Sequence, residues 1–185
     1  MTLNGIDISK WNGEWNAEKT KSAGATFVFI KASQAAYIDP KFLANWKIAK
    51  DAKLMLGAYH YMDYTRPVRE SANFYATILE NYPGELPPVV DFEQSRNDNN
   101  TSAARAYLRE FLEILKSRGH KPILYTSNGF FRDQIDRFGF PCRHEEVHPR
   151  RFFVGVNLNI TKTSSGQKSA ECMRVIHKSM SIIVG

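Results

Sequence analysis

Short apolar runs alternate with longer amphipathic stretches along most of this chain. Leu3 to Ile8 reads as a first strand. Ala25 to Lys31 is a continuous apolar run of the kind shown by a strand covered on both faces. Leu54 to Met62, Leu86 to Glu93 and Lys121 to Ser127 repeat that signal. The intervals carry helical spacing. Trp15 to Ala23 predicts a short helix ended by Gly24, and Asp39 to Lys53 a second with Phe42, Leu43, Trp46, Ile48 and Ala49 in register. Val68 to Leu79 predicts a third, closed by Asn81-Tyr82-Pro83-Gly84. A long fourth, capped by Thr101 or Ser102, runs to Arg118 with Leu108, Phe111, Leu112 and Leu115 on one face, and Gly119 ends it. Residues 129–138 predict a fifth.

Strands alternating with helices imply parallel pairing through right-handed crossovers, hence an α/β fold. Five such units in the first 137 residues suit a doubly wound sheet or most of a β/α barrel. Neither a G-x-G-x-x-G nor a Walker A sequence follows any strand, which weighs against a nucleotide-binding sheet. In a barrel the functional side chains sit where strands end. Asp7, Lys31, Tyr59, Tyr61, Asp91, Glu93 and Tyr125 all fall in or at the ends of predicted strands.

Composition adds bounds rather than identity. A chain of 185 residues, 43% hydrophobic and 24% charged, fits one globular domain. No run of 18 apolar residues occurs, so no membrane insertion is expected. The first residues, Met1-Thr2-Leu3-Asn4-Gly5, show no signal peptide. Of the net charge of +6, residues 138–185 carry 7 Lys+Arg against 3 Asp+Glu. A basic surface suits an anionic polymer such as nucleic acid or a bacterial wall, but basic runs interleaved with aromatics are missing, so no nucleic-acid partner is expected. Cys142 and Cys172 match no zinc spacing and are read as unpaired.

The candidate chemistry centres on Leu86-Pro87-Pro88-Val89-Val90-Asp91-Phe92-Glu93. Alternation along a strand turns Asp91 and Glu93 to one side and Phe92 to the other. Two acids facing one way repel, so at least one carboxyl should have a raised pKa, which keeps a proton donor available near neutral pH. A lone D-x-E is more often a solvated strand end. Asp7 also has a bland reading as a turn cap, His60 as a hydrogen-bonded core residue, and Lys31 as a counter-ion to the acids. Trp15 and Trp46 suit packing; Trp11 follows Asp7 closely enough to border a groove.

Five segments together change those odds. Gly5-Ile6-Asp7-Ile8-Ser9-Lys10-Trp11-Asn12-Gly13, Phe27-Val28-Phe29-Ile30-Lys31-Ala32-Ser33, Gly57-Ala58-Tyr59-His60-Tyr61, Pro88-Val89-Val90-Asp91-Phe92-Glu93 and Ile123-Leu124-Tyr125-Thr126-Ser127 stand in order. Over residues 3–137 they resemble the glycoside hydrolase family 25 lysozymes, the Chalaropsis-type muramidases. The resemblance implies a modified TIM-like β/α barrel and an endo-acting N-acetylmuramidase that cleaves the β-1,4 bond between MurNAc and GlcNAc. It implies catalytic roles for Glu93 as general acid, for Asp91 in stabilising the cationic transition state or positioning the N-acetyl group, and for Asp7 in the acidic floor. Tyr59, Tyr61, Tyr125, Lys31 and Trp11 are the implied substrate contacts. No cofactor or metal is implied, the partner is bacterial peptidoglycan, and a monomer acting outside the cell or in the wall is expected, by phage-type release or with a leader that this sequence lacks.

After about Arg137 the resemblance stops. The chain has no Trp or Tyr after Tyr125 and no Asp after Asp136, so the aspartate that the family supplies from its last strand has no counterpart. The domain reading is therefore a catalytic region over 1–137 and a divergent segment over 138–185. That segment is either a genuine ending with strands at 152–159 and 175–184 or a stretch translated out of frame, the reading its residue usage favours. A barrel without its last strands would expose the edges of its first and fifth strands. The alternative function is a glycan-binding protein that keeps the tyrosine groove but does not turn over.

Overall fold

The structure is a computed structural model that describes residues 2–94, 96, 100–127, 130, 152–157, 171–176 and 180–183. Parallel strands β1 (Thr2–Ile8), β2 (Phe27–Gln34), β4 (Met55–Tyr61), β5 (Val89–Asp91) and β6 (Ile123–Tyr125) lie side by side in that order. Helices α1 (Ala17–Ser22), α2 (Phe42–Asp51), α3 (Val68–Asn81) and α4 (Thr101–Ser117) make the connections. This is the β/α order that the hydrophobic pattern predicts. The expected helix over 129–138 lies outside the described residues, Phe130 excepted.

Three antiparallel strands follow: β7 (Phe152–Asn157), β8 (Glu171–Ile176) and β9 (Met180–Ile183). β7 pairs with β6 and with β8, while β9 pairs with β1. The edges of the first and fifth parallel strands are thus covered, contrary to expectation. The expected strand over 152–159 is found as β7; that over 175–184 is divided between the end of β8 and β9. β8 and β9, the two ends of the sheet order, neighbour each other in space, so the sheet curls round into a modified barrel.

Strand alternation sorts the side chains into two cores. Outward-facing Val28, Ile30, Leu56, Ala58, Val90 and Leu124 pack against helix residues such as Phe42, Tyr75, Leu108, Phe111 and Leu115. Inward-facing Phe27, Phe29, Val89 and Ile123 form a smaller cluster with Met55, Leu86, Tyr59 and Tyr125. Phe27 and Phe29 meet edge to face at 6.0 Å and fill the floor of the barrel. They have room because the strands on either side carry glycine at the same level, Gly5 opposite Phe27 and Gly57 opposite Phe29. A methyl group on Gly57 would fall on the Phe29 ring and 3.1 Å from Leu86 Cβ.

Several local expectations need correction. β5 spans Val89–Asp91 rather than residues 86–93: Pro87 and Pro88 offer no N–H to the ladder at its start, and Phe92 and Glu93 stand past its end. β2 runs on to Gln34, and Ala35, at φ 48, turns the chain back into β3 (Tyr37–Ile38), a hairpin the apolar pattern does not signal. Asn100, not Thr101 or Ser102, caps α4, accepting from Ala103 N at 2.9 Å. Gly24 and Gly119 do follow α1 and α4 in positive-φ conformations, at 95 and 86.

Candidate active site

The register of the parallel strands brings the candidate residues to one face. Tyr61, Asp91 and Tyr125 are neighbours across β4, β5 and β6, and Lys31 pairs with Tyr59 one step deeper. Asp7 enters from β1 opposite Phe29 and is exposed to the groove. Glu93 follows two residues after Asp91, half-buried and beyond the end of β5. Phe92 turns the other way and is fully buried, 5.1 Å edge to face from Phe130. The alternation expected of the D-x-E stretch is therefore present, although its second acid stands past the strand.

Asp91 is 8% exposed, and its Oδ1 has no hydrogen-bond partner. Burial pushes its carboxyl well above the ordinary carboxylate range, and the charges of Glu93 and Asp7 push it further, against the pull of Lys31. One member of the acid pair thus carries a raised pKa, as the sequence led us to expect, and it is Asp91. The same field acts on the tyrosines. Burial raises the Tyr59 hydroxyl first, then Asp7 and Asp91, while a hydrogen bond with Ser9 lowers it. Burial raises Tyr125, followed by Glu93, Asp91 and Asp7. Tyr61 is raised by burial, then by Asp91 and Glu93. Three neutral phenols consequently surround three acids, each phenol able both to donate and to accept.

Lys31 is 7% exposed and belongs to this group. Its Nζ lies 4.7 Å over the Tyr61 ring and donates to Gln34 Oε1 at 2.8 Å. Burial lowers its pKa, opposed by Asp39, Asp91 and Asp63. The chain continues outward: Gln34 Nε2 donates to Asp63 Oδ2 at 2.8 Å. Gln34, Asp39 and Asp63 are residues that sequence reasoning misses. Asp39 looks like the start of a helix, and Gln34 lies past the predicted end of its strand.

Trp11 stands 80% exposed on a 3-10 turn (Lys10–Asn12) just after β1. The cap of that turn is Ser9, which accepts from Trp11 N at 3.3 Å and is locked by Asn12; this is the task the bland reading gives to Asp7. Trp46 packs on Phe42 and Tyr82, and Trp15 donates to Thr20 Oγ1 at 2.9 Å, so both serve packing as expected. His60 points to the helix side, fully buried, with Nδ1 2.8 Å from Ser33 Oγ and its ring against Phe111 and Tyr75. Burial and the Lys31 charge lower it to about 3, so it is a neutral core histidine. Among the described residues no cluster of three or more His, Cys, Asp or Glu is arranged to hold a metal ion, and no helix is long and apolar enough to cross a membrane.

An acid cluster ringed by tyrosines at the carboxyl ends of parallel barrel strands is the arrangement of a β/α-barrel glycosidase. Residues 6–142 match the model of glycosyl hydrolases family 25, and the chain belongs to that family. Among its relatives, Lysozyme M1 of Streptomyces globisporus is 31% identical over 139 residues, covering 68% of this chain and 46% of the relative. The protein YegX of Escherichia coli K12 is 30% identical over 141 residues, covering 72% and 52%. This chain thus spans about half the length of the curated relatives it matches. A solved family 25 glycosyl hydrolase from Bacillus anthracis superposes with a TM-score of 0.69 at 23% identity, over 99% of this chain and 89% of that one, which shows the shared fold.

Proposed function

We propose that this chain is a peptidoglycan hydrolase, an endo-N-acetylmuramidase acting on the β-1,4 bond between MurNAc and GlcNAc. The observation that carries the reading is the convergence of Asp7, Asp91 and Glu93 with Tyr59, Tyr61 and Tyr125 at the mouth of the barrel. The lysozyme relative supports it. Glycoside hydrolysis needs an acid at the leaving oxygen and negative charge beside an oxocarbenium-like centre. Glu93, half-buried at the rim, is the general acid. Asp91, buried with a free Oδ1, faces the reacting sugar, where its carboxyl positions the N-acetyl group. Asp7 completes the negative floor. The tyrosine rings lie against sugar faces while their neutral hydroxyls bond to sugar oxygens. Lys31 fixes Tyr61 from behind, and Trp11 extends the groove as an exposed platform.

We assign catalysis to residues 1–137 and take 138–185 as a divergent ending. The pairing of β7 with β6 and of β9 with β1 supports that reading over translation out of frame. The protein acts as a monomer on the bacterial wall, outside the cell or from within an infected one. The test is release of new muramic-acid reducing ends from purified peptidoglycan, compared with a Glu93→Gln variant. The wild type should release them and the variant should be slower by about 10²–10⁴-fold, the usual contribution of a positioned acid. Undiminished release by the variant would remove Glu93 from the role, and binding of wall glycan with no release at all would favour the binding-only protein.

A further inference from the structure

Beside the acid cluster, with Lys31 common to both, opens a second depression of about 270 Å³. It lies between the β2–β3 hairpin and the loop that leaves β4. Its polar lining comes from Lys10, Lys31, Gln34, Asp39 and Asp63, and Ile38 forms part of its apolar rim. The walls are fixed to each other: Gln34 bonds Asp63 across the gap, and Arg66 Nη2 donates to Tyr37 Oη at 2.6 Å. Asp39 is 5% exposed and accepts from Lys41 N at 3.0 Å and Lys10 N at 3.3 Å. Asp63 accepts from Thr65 N at 2.7 Å. The depression is therefore built before any ligand arrives.

Its lining differs in kind from that of the groove. A neutral sugar is bound by aromatic faces and hydroxyl partners, which the tyrosine side supplies. The second depression instead presents two ammonium groups and two carboxylates around a small apolar rim, which suits a ligand carrying both signs of charge along a peptide backbone. Lys31 faces both spaces, coupled to Asp91 on one side and to Asp39 and Asp63 on the other. A branched substrate, with one limb in the groove and one beside it, fits that layout.

We propose that this depression is the subsite for the peptide stem that branches from the lactyl group of muramic acid, with Lys10 and Lys31 taking stem carboxylates and Asp39 and Asp63 taking amino or amide groups. The assignment rests on the muramidase reading for the identity of the glycan, and it makes the chain selective for wall glycan that still bears stems.

Calorimetric titration of the full chain with a disaccharide–tetrapeptide muropeptide, and with the same disaccharide lacking the peptide, tests it. The muropeptide should bind about 10-fold tighter, the factor that one well-placed charged contact supplies. Ile38→Trp, at a side chain 41% exposed, fills the depression and should abolish that difference while leaving disaccharide affinity unchanged. Lys10→Glu, on the exposed turn, should weaken the muropeptide several-fold and spare the disaccharide. Equal affinities in the wild type, or a preference that survives both variants, would overturn the proposal. Reducing-end release reports separately on the hydrolase. Preference for the muropeptide without turnover keeps the subsite and removes the enzyme, whereas turnover with equal affinities does the reverse.

Discussion

Asp91→Asn should make this protein more stable at neutral pH, and the gain should vanish in acid. Asp91 is 8% exposed, lacks a partner for Oδ1, and faces the charges of Glu93 and Asp7. Its folded-state pKa is therefore raised above 3.8, the value expected of the unfolded chain. The folded protein then binds a proton that the unfolded chain releases as pH rises. Stability associated with this group is fully present below about pH 3.8 and is lost as pH climbs toward the folded-state pKa. The loss amounts to about 1.4 kcal/mol per pH unit for as long as Asp91 stays protonated in the fold. Asparagine has nearly the same shape and does not titrate, so it escapes the loss. Urea unfolding of both proteins from pH 3 to pH 8, read as the difference in free energy, cancels every other titrating group to first order. The difference should rise from near zero in acid, with a slope approaching that limit above pH 4. A flat difference across the range would refute the argument that Asp91 is held protonated by burial and its acidic neighbours, and with it the division of labour between Asp91 and Glu93.

Other perturbations probe the scaffold and the rim. Tyr75 is fully buried in α3, and its hydroxyl lies 2.9 Å from Ala58 O and 3.1 Å from Val89 O; Tyr75→Phe should cost about 1–2 kcal/mol in urea unfolding and leave activity intact. Gly57→Ala places a methyl group on the Phe29 ring and against Leu86 in the barrel floor, so it should cost about 1–3 kcal/mol, visible as a lower urea midpoint. Trp11→Ala removes a ring that is 80% exposed, so the midpoint should stay unchanged while KM for peptidoglycan rises.

The sheet was legible because its strands are buried on both faces and read as apolar runs between helix-period segments. Phe27 to Ile30 is the clearest case, since alternate residues enter different cores and all four are apolar. The acids were legible because Asp7, Asp91 and Glu93 stand at the carboxyl ends of such runs. Less could be read where backbone geometry, not side-chain type, decides. The β3 hairpin depends on Ala35 adopting a positive φ that its sequence does not advertise. Asn100 is one of several polar residues in an Asn-rich loop, and only geometry selects it as the cap. β7 was legible as an apolar run, but the division between β8 and β9 was not, because nothing in the residue types of 171–183 marks where one strand stops and the next starts.

The mixed-charge depression was illegible for a related reason. Strict alternation after Lys31 would send Ala32 outward and Ser33 inward, and would turn Gln34 into the helix-side core, where an amide would lack partners. The register instead slips between Lys31 and Ser33, so that Lys31 pairs with Tyr59 and Ser33 already with His60. This bulge absorbs Ala32, sends Ser33 outward to bond His60 Nδ1, and brings Gln34 back beside Tyr61 on the inner face. Lys31 and Gln34, three residues apart, can then hydrogen-bond, and Gln34 reaches Asp63. One extra residue in β2 thus gives Nδ1 of a buried histidine its partner on one face and fixes a buried lysine on the other. It also forms the wall between the acid cluster and the neighbouring depression, so the shape of the site on this side is set by a backbone irregularity that no count of apolar positions reveals.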